Sequence, residues 1–413
     1  MSQSEPLHIS TRLLHPSAGG THSVSAEWQH RPSATPIYQT ATFDQESPLE
    51  FGEFDYSRSG NPTRDGVERV LAELEGSRAA LAFNSGMSAI AAVFGLLKPG
   101  DEIVASTDIY GGAYRLLNRI AERRGIVVRF AALDDLRAFA AAVTDKTRII
   151  YAESIGNPLM TVADIGGLAR IARAVNARLV IDNTFLTPLN LRPLELGADI
   201  VVHSATKYLS GHGDATSGVL GVNDPKLIAE LSFIRNAEGT ALPPQECFLL
   251  ERGLKTLDVR LDRQQKTAAK VAALLAECEA AGEIQRVRYP GLRSLPGHDI
   301  HRCQSAGDGA VICFETGSLE RSLLLVKSLL LFPIRVSFGS VESSVSMPFS
   351  MSHASVPKEL RTVNAVPQDL IRLSIGLESA NDLIADLSRA IHTVSARRVP
   401  AAEVRSSGAP ICC

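Results

Sequence analysis

The sequence predicts an α/β fold built on a mostly parallel sheet with helices on both faces. Between residues 79 and 222, short apolar segments alternate with longer segments of helical periodicity. The apolar segments are nearly continuous, which is typical of strands buried on both faces. The chain has 413 residues, more than one hydrophobic core usually holds, so a second, smaller domain is also expected.

Seven apolar segments predict the strands of this sheet: residues 79–83, 102–105, 127–130, 148–152, 179–181, 200–202 and 218–222. The helices expected between them cover residues 87–97, 114–123, 133–142 and 165–175. An earlier helix is expected over residues 64–74, with Thr63 as its N-cap. Ligands of such sheets bind beyond the carboxyl ends of the strands. Candidate site residues should therefore directly follow the apolar segments.

Composition divides the chain into four segments. Residues 1–60 are rich in Ser, Pro, Thr and His and predict an N-terminal arm, and residues 61–260 contain the parallel sheet. Residues 261–395 predict a smaller α+β domain, with strands over residues 311–315, 334–338 and 370–375 and a helix over 320–331. Residues 396–413 predict a disordered tail. Helices over 227–234, 247–257 and 261–281 connect the two domains.

The overall charge and the cysteine content exclude several classes of protein. The formal net charge is −3, without a long block of one sign, which gives no electrostatic basis for binding nucleic acid or an anionic membrane. The first ten residues do not resemble a secretory signal, and no apolar segment predicts a membrane span. The six cysteines lack zinc-ligand spacing, so neither a disulfide framework nor a metal site is expected. A cytoplasmic protein is predicted.

The segment around Lys207 carries the strongest chemical signal. An apolar segment that ends at Val202 is followed by Ser204 and Thr206, then by Lys207 and two nearby glycines. A desolvated lysine amine at the end of a strand can be neutral enough to attack a carbonyl and form a Schiff base. The alternative is an ordinary solvated lysine, because most lysines are exposed.

Other polar residues also occur at predicted strands. Gly86 and Met87 start a helix whose free amides could bind phosphate, although Ser85 could simply cap that helix. Tyr110, in a glycine turn, would either stack on a flat ring or be a half-buried loop tyrosine. Asp182 ends a strand and needs a cationic partner unless it caps the next helix. Arg372 lies inside an apolar strand and should have an anionic partner, either internal or supplied by a ligand.

Together these residues fit the chemistry of pyridoxal phosphate. Asp182 precedes Lys207 by 207 − 182 = 25 residues. The lysine would bind the cofactor's aldehyde, the aspartate would keep the pyridine nitrogen protonated, and Tyr110 would stack on the ring. Arg372 would bind the carboxylate of an amino-acid substrate. The sequence therefore predicts a pyridoxal-phosphate enzyme that acts on amino acids.

The sequence also resembles a known family, the trans-sulfuration (cystathionine γ-synthase-like) family of pyridoxal-phosphate enzymes, over residues 34–393. The most specific motifs are YSRSGNPT at 56–63, SATK at 204–207 and SFGSVES at 337–343. Within the family, PIYQTATF at 36–43, RPLELGADIVVHSATK at 192–207 and SMPFSMSHASVP at 346–357 are most similar to plant-type cystathionine β-lyases. The resemblance implies a fold-type I transferase-like architecture with pyridoxal 5'-phosphate as cofactor.

The resemblance also implies roles for individual cofactor-binding residues. Lys207 would carry the cofactor as a Schiff base and move the α-proton, Asp182 would pair with the pyridine nitrogen, and Tyr110 would stack on the ring. Four residues would bind the phosphate within one subunit: Gly86, Met87, Ser204 and Thr206. Tyr56 and Arg58 would reach the phosphate of the neighbouring subunit.

The substrate side of the site follows from the same resemblance. Three residues would bind the substrate carboxylate: Asn157, Ser337 and Arg372. Tyr56 would also lie near the substrate, so that Lys207, Tyr110 and Tyr56 are the expected catalytic residues. A site shared in this way makes a dimer the smallest active unit, and the family usually forms homotetramers.

The expected reaction is α,β-elimination of L-cystathionine to homocysteine, pyruvate and ammonia. Gly112, where some relatives carry cysteine, argues against a methionine γ-lyase, and Val336 replaces a glutamate of many γ-enzymes. Glu342 replaces a residue that is usually basic in plant-type β-lyases, which leaves γ-chemistry open. The alternatives are a cystathionine γ-lyase or γ-synthase (an O-acylhomoserine γ-replacement enzyme) and a dedicated C–S lyase. From another class, the chain could be a non-enzymatic scaffold that has kept the fold.

Overall fold

The computed structural model describes residues 8–14, 32–351 and 366–396. A first helix, α1 (Ile9–Leu14), belongs to the predicted N-terminal arm. Within the first 31 residues, the other parts of the arm lie outside the described part. Most of the SMSHASVP portion of the 346–357 motif also lies outside it, as does nearly all of the predicted tail, including Cys412 and Cys413. In the described part, no helix is both long and apolar enough to cross a membrane.

The main sheet has seven strands, as the sequence predicts: β1 (Ala79–Phe83), β2 (Glu102–Ser106), β3 (Val127–Ala131), β4 (Thr147–Glu153), β5 (Arg178–Asp182), β6 (Ile200–His203) and β7 (Gly218–Val222). Their order is β1-β7-β6-β5-β4-β2-β3. The five strands β2 to β6 run parallel, and β7 runs antiparallel to both neighbours, β1 and β6. The carboxyl ends of β4, β5 and β6 therefore meet at one edge of the sheet.

The strands are mostly apolar because helices cover both faces of the sheet, and only the edge strand β3 has a largely exposed or partly exposed pattern. Successive residues of one strand, such as Ile149 and Ile150, point to opposite faces and belong to different hydrophobic clusters. The helices of this part are α2 (Pro62–Glu75), α3 (Gly86–Gly95), α4 (Gly111–Arg115), α5 (Leu136–Ala142), α6 (Ile165–Ala174), α7 (Thr187–Asn190), α8 (Pro225–Glu238) and α9 (Pro244–Leu254). A π-helical segment, Leu116–Ala121, continues α4. The predicted helices are present, with boundaries shifted by a few residues.

One predicted helix cap is wrong. Helix α2 begins at Pro62, and its N-cap is Asn61, whose side chain accepts a hydrogen bond from the Thr63 amide at 3.0 Å. Thr63 lies inside the first turn, where its hydroxyl instead donates to Pro36 O at 2.9 Å. An asparagine before a proline is the better cap, because proline is preorganised for the first helical position.

The second sheet is antiparallel and has the order β10-β11-β9-β8. Its strands are β8 (Arg286–Arg288), β9 (Val311–Glu315), β10 (Ser344–Ser346) and β11 (Leu370–Ser374). The helices of this part are α10 (Leu257–Ala280), α11 (His298–Gln304), α12 (Leu319–Ser328) and α13 (Ala380–Ala396). Helices α10 and α12 pack on the sheet, and α13 packs on both of them. The hydrophobic cluster on one face of the main sheet continues into this second unit. The boundaries at residues 60, 260 and 395 remain predictions.

The strand predicted at residues 334–338 is absent. This segment forms only one isolated bridge, between Ile334 and Val345. Ser337 has a φ of 81°, in the left-handed region that interrupts extended structure. The segment is instead a loop that directs Ser337 and Phe338 toward the carboxyl edge of the main sheet, as their contacts with Lys207 show.

Candidate active site

Lys207 lies in a tight turn directly after β6. The Lys207 amide donates to Ser204 O at 3.1 Å, and the Gly211 amide donates to Lys207 O at 2.7 Å. From α10, the buried Arg260 guanidinium donates to Tyr208 O at 2.9 Å and occupies the space that a Cβ at Gly211 would need. The backbone on the C-terminal side of Lys207 is therefore fixed by a side chain from the second unit.

The Lys207 amine is held in a partly buried, weakly solvated position. It donates a hydrogen bond to the Ser337 hydroxyl and lies 5.4 Å from the centre of the Phe338 ring. Burial lowers the pKa of Lys207 to about 8, and the nearby Arg372 guanidinium acts in the same direction. Much more of this amine is therefore neutral near pH 8 than of an ordinary lysine. A neutral amine is the form that attacks a carbonyl carbon.

Asp182 ends β5 in a buried position close to the Lys207 turn. Its Oδ1 accepts hydrogen bonds from the Thr184 amide at 3.0 Å and the Thr184 hydroxyl at 2.5 Å, and its Oδ2 accepts from the Tyr151 hydroxyl at 3.5 Å. Thr184 also accepts from the Ser204 amide at 2.8 Å, which links Asp182 to the start of the Lys207 turn. Desolvation raises the pKa of Asp182, while the Thr184 hydrogen bonds oppose the rise. Within the described residues, Asp182 has no ion-pair partner.

Tyr110 and the start of α3 lie on the other side of this edge. A Cβ at Gly86 would lie 2.8 Å from the Ser204 Cβ, and a Cβ at Gly112 would lie 2.3 Å from the Tyr110 ring and 2.8 Å from the Met87 sulfur. The turn at Gly86 therefore packs directly against Ser204, while the Tyr110 ring folds back over its own turn beside Met87. The structure brings these four predicted cofactor residues together.

Thr206 is the remaining residue predicted to bind the cofactor's phosphate. Its hydroxyl already makes two local hydrogen bonds. Its Oγ1 donates to Ser217 O at 3.1 Å and accepts from the Ser217 amide at 2.9 Å. These bonds join the Lys207 turn to the residue that precedes β7. A hydroxyl oxygen retains a further lone pair, so Thr206 keeps the capacity for one more acceptor bond.

Arg372, Asn157 and Ser337 converge from three distant segments. The Arg372 guanidinium donates from Nη1 to the Asn157 Oδ1 at 3.0 Å and from Nη2 to Ser337 O at 3.2 Å, and it lies 5.4 Å from the centre of the Phe338 ring. Arg372 is only 3% exposed, and desolvation lowers its pKa. In the described part of the chain, no carboxylate lies within ion-pair distance of it. Its charge is thus buried and without an anionic partner.

Tyr56 and Arg58 are not brought to Lys207 within one chain. Both are solvent-accessible, and Tyr56 is 43% exposed. The Arg58 guanidinium stacks 5.2 Å from the centre of the Tyr56 ring and donates to the Asn236 Oδ1 at 3.1 Å. Among the described residues, neither makes a hydrogen bond, ion pair or ring contact with the Lys207 cluster. Their expected role at a neighbouring subunit remains a prediction.

Several residues of this site were missed by the sequence reasoning. Thr184 holds Asp182, Phe338 lies against both Lys207 and Arg372, and Glu153 accepts a hydrogen bond from the Tyr110 amide at 2.6 Å. The signal for Thr184 was present, because a threonine two residues after an aspartate commonly bonds it locally. Glu153 follows a predicted strand in the same manner as Asp182 and could have been found by the same criterion.

The residues present fit pyridoxal phosphate. The unpaired carboxylate of Asp182 could bind a protonated ring nitrogen, and Lys207 supplies an amine of lowered pKa near it. The Ser85 side chain caps α3 by accepting from the Ser88 amide at 3.1 Å, and the start of this helix, which packs against Ser204, favours an anion. The unpaired Arg372 is left to bind a second anion, such as a substrate carboxylate.

Comparisons with known proteins show which family this chain is similar to. Residues 20–392 match the family described as Cys/Met metabolism PLP-dependent enzyme. The chain is 46% identical over 360 residues to a chloroplastic cystathionine beta-lyase of Arabidopsis thaliana, which covers 87% of this chain and 77% of that protein. A cystathionine beta-lyase of Bacillus subtilis is 42% identical, with 94% of this chain and 97% of that protein covered.

Solved structures show the same architecture. A cystathionine gamma synthase from Xanthomonas oryzae pv. oryzae in complex with cystathionine has a TM-score of 0.90 and 36% sequence identity, and the match covers 95% of this chain and 99% of that one. A cystathionine gamma-lyase from Lactobacillus plantarum complexed with L-serine has a TM-score of 0.87 and 35% identity, with 94% and 100% covered. The fold-type I prediction is confirmed.

Proposed function

The chain belongs to the Cys/Met metabolism PLP-dependent enzyme family, and we propose that it is a carbon–sulfur lyase that catalyses α,β-elimination of L-cystathionine. The reaction consumes one water and yields homocysteine, pyruvate and ammonia. The two cystathionine beta-lyases of Arabidopsis thaliana and Bacillus subtilis, at 46% and 42% identity, support this choice within the family.

One observation carries the proposal: Asp182 and Arg372 are buried charges of opposite sign, both without an ionic partner in the described chain and both near Lys207. Pyridoxal phosphate, when bound, supplies an electron sink for a carbanion at the substrate's Cα. Asp182 would neutralise a protonated ring nitrogen, and Arg372 would bind the substrate's carboxylate. Two unpaired charges are thus matched by the two charges that cofactor and substrate bring.

The chain's own residues perform the proton transfer and the orientation. Arg372, held by Asn157 and Ser337 O, fixes one end of the substrate so that its Cα faces Lys207. The Lys207 amine, with a pKa of about 8, can take the α-proton near neutral pH and return a proton to a leaving group. The Ser337 hydroxyl, which accepts a hydrogen bond from this amine, holds it in place between transfers.

The second candidate is γ-elimination or γ-replacement by the same residues. It is favoured by Glu342 and by the similarity to the cystathionine gamma-lyase and gamma synthase structures. In this structure Glu342 pairs with Arg335 on the surface, where 60% of the Glu342 side chain is exposed. Product analysis separates the two reactions. Pyruvate with homocysteine supports α,β-elimination, whereas 2-oxobutyrate with cysteine contradicts it.

We also propose a dimer with shared sites that pairs into a homotetramer. Support comes from Tyr56 and Arg58, which are solvent-accessible in the single chain although they belong to a motif shared with the family. Mixing a Lys207→Ala variant with an Arg58→Ala variant tests the sharing. Mixed dimers contain one intact site, so activity should return after subunit exchange. If activity stays absent although light scattering shows mixed oligomers, the sharing is refuted.

A cytoplasmic location is proposed as well. The four described cysteines are free thiols, and three of them are buried, which suits a reducing compartment. Fractionation of the source cells, with antibody detection, tests the location. Recovery of the protein in an organelle, as for the chloroplastic relative from Arabidopsis thaliana, would contradict it.

A further inference from the structure

Glu153 is a buried acid at the site to which neither the sequence motifs nor the proposed reaction assigns a role. It is the last residue of β4, is 4% exposed and lies in register with Asp182 at the end of β5. Its Oε1 accepts a hydrogen bond from the Tyr110 amide at 2.6 Å. Glu153 thus connects the sheet edge that holds Asp182 to the turn that carries the predicted stacking ring.

The surroundings of Glu153 and Asp182 differ in how well they stabilise a negative charge. Asp182 accepts three hydrogen bonds, two from Thr184 and one from Tyr151, whereas Glu153 accepts one. Burial first and the Asp182 charge second raise the pKa of Glu153 well above its usual value. Asp108 adds to this effect, while Arg372 and the Tyr110 hydrogen bond oppose it. Burial and the neighbouring Asp182 charge therefore both disfavour the ionised form of Glu153.

Tyr110 depends on its backbone for its placement. The residue is 40% exposed, so packing encloses only part of it. As the N-cap of α4, Tyr110 makes no side-chain capping bond. Its ring folds over Gly112, where even a Cβ would clash. A small rotation of this turn would therefore move the ring, and the Glu153 hydrogen bond is the contact that ties the amide of Tyr110 to the sheet.

We propose that Glu153 is a positioning residue that sets the height of the Tyr110 ring above the cofactor by anchoring the Tyr110 amide. The inference deepens the proposed function and rests on pyridoxal phosphate occupying this edge of the sheet. Reach, rather than charge, is what the role requires. A side chain must place an acceptor oxygen where the Glu153 Oε1 now lies, and a glutamine can do so as well as a glutamate.

Two conservative variants separate reach from charge. Glu153→Gln keeps the reach and the acceptor and can carry no charge, whereas Glu153→Asp keeps the acid and withdraws the acceptor by one methylene. The affinity of the full-length protein for pyridoxal phosphate is measured by titration of the visible absorption band, and the visible circular dichroism of the holoenzyme reports the ring's surroundings. We expect about fivefold weaker binding and an altered dichroism for Glu153→Asp, the effect of one lost hydrogen bond. Glu153→Gln should bind within about twofold of the wild type.

The control is Glu102→Asp, which shortens another buried glutamate at the start of β2, at the opposite edge of the sheet, where it pairs with Arg129. It should leave the dichroism unchanged. The proposal is overturned if Glu153→Gln binds the cofactor weakly while Glu153→Asp does not, if both are equally impaired, or if neither differs from the wild type. Should Glu153→Asp fail to fold, Glu153→Gln decides alone, because weakened binding in that variant contradicts the proposal. None of these readouts depends on which product the enzyme forms.

Discussion

Two groups of buried or partly buried charges in this protein differ in how they are neutralised. Away from the site, Arg235 of α8 pairs with Glu68 of α2, and Arg288 of β8 pairs with Glu315 of β9 at 2.7 Å. At the candidate active site, Asp182 and Arg372 are 9% and 3% exposed, yet neither has an ion-pair partner among the described residues. The first group is complete within the chain. The second group is arranged for charges that arrive with ligands.

The difference has an energetic basis. Removing one partner from a buried ion pair typically destabilises a fold by about 3–5 kcal/mol. Because Asp182 and Arg372 are buried without ion-pair partners, each destabilises the ligand-free fold, and only local hydrogen bonds reduce this cost. Perturbed and unpaired charges cluster at functional sites for this reason. The comparison predicts that substitutions in the first group lower the stability of the fold, and that substitutions in the second group weaken ligand binding or lower turnover.

The largest effect is expected for Lys207→Ala. Loss of the proton-transferring amine should lower turnover on the order of 10⁴-fold, because no other described lysine is placed beside Phe338 and Arg372. The melting temperature should be unchanged or higher, since the variant no longer buries a cation. The matched control is Lys266→Ala, which removes an exposed lysine paired with Asp262 and should leave turnover intact. Retention of a tenth of wild-type turnover by Lys207→Ala would be incompatible with the assignment.

The next effect is a rise in KM for Arg372→Ala. Loss of two charge-assisted hydrogen bonds to the substrate carboxylate should raise KM about 100-fold, while the cofactor's visible absorption remains. Arg288→Ala is the control, because Arg288 is paired with Glu315 and its loss should reduce stability at constant KM. Loss of cofactor absorbance in Arg372→Ala would place this arginine at the cofactor instead of the substrate.

Glu68→Ala tests the paired group. It leaves the Arg235 guanidinium buried without its carboxylate, so the free energy of unfolding in urea should fall by about 3 kcal/mol. KM of the folded protein should not change. Asp262→Ala, which breaks the exposed pair with Lys266, should cost no more than about 0.5 kcal/mol. If the two variants lose equal free energy of unfolding, the Arg235–Glu68 pair stabilises the fold no more than the exposed Lys266–Asp262 pair does.

The smallest effect concerns pH. The pKa of Lys207 is lowered from 10.5 to about 8, and only the neutral amine can capture the cofactor's aldehyde. The rate of cofactor capture by cofactor-free protein should therefore rise with pH and reach half its maximum near pH 8. Stopped-flow absorbance measures this rate. A midpoint near 10.5 would show that the amine is solvated like an ordinary lysine.

Much of the fold could be predicted because local signals and tertiary structure agree. Six strands of the main sheet are mainly apolar segments buried on both faces, and the edge strand β3 is the exception. Lys207 and Asp182 could be found because ligands of such sheets bind beyond the carboxyl ends of the strands, and both residues lie there. The prediction was wrong at residues 334–338, where an apolar composition masks a loop whose Ser337 adopts a positive φ.

The remaining features depend on contacts between distant segments. Arg372 and Asn157 are separated by 215 residues, and their hydrogen bond leaves no trace in local periodicity. Phe338 lies beside Lys207 and Arg372 only because the loop between α12 and β10 reaches the main sheet. Glu153 follows a predicted strand, but its position beside Asp182 depends on the register between β4 and β5.

The central claim is that ligands complete the charges of Asp182 and Arg372, and a crystal structure of the holoenzyme with a bound amino-acid inhibitor tests it most directly. The account predicts the ring nitrogen of pyridoxal phosphate within about 3 Å of an Asp182 carboxylate oxygen. It also predicts the inhibitor's carboxylate on the Arg372 guanidinium. A ring nitrogen that contacts no carboxylate, or an inhibitor carboxylate bound by Arg58 while Arg372 stays bonded only to Asn157 and Ser337, would contradict it.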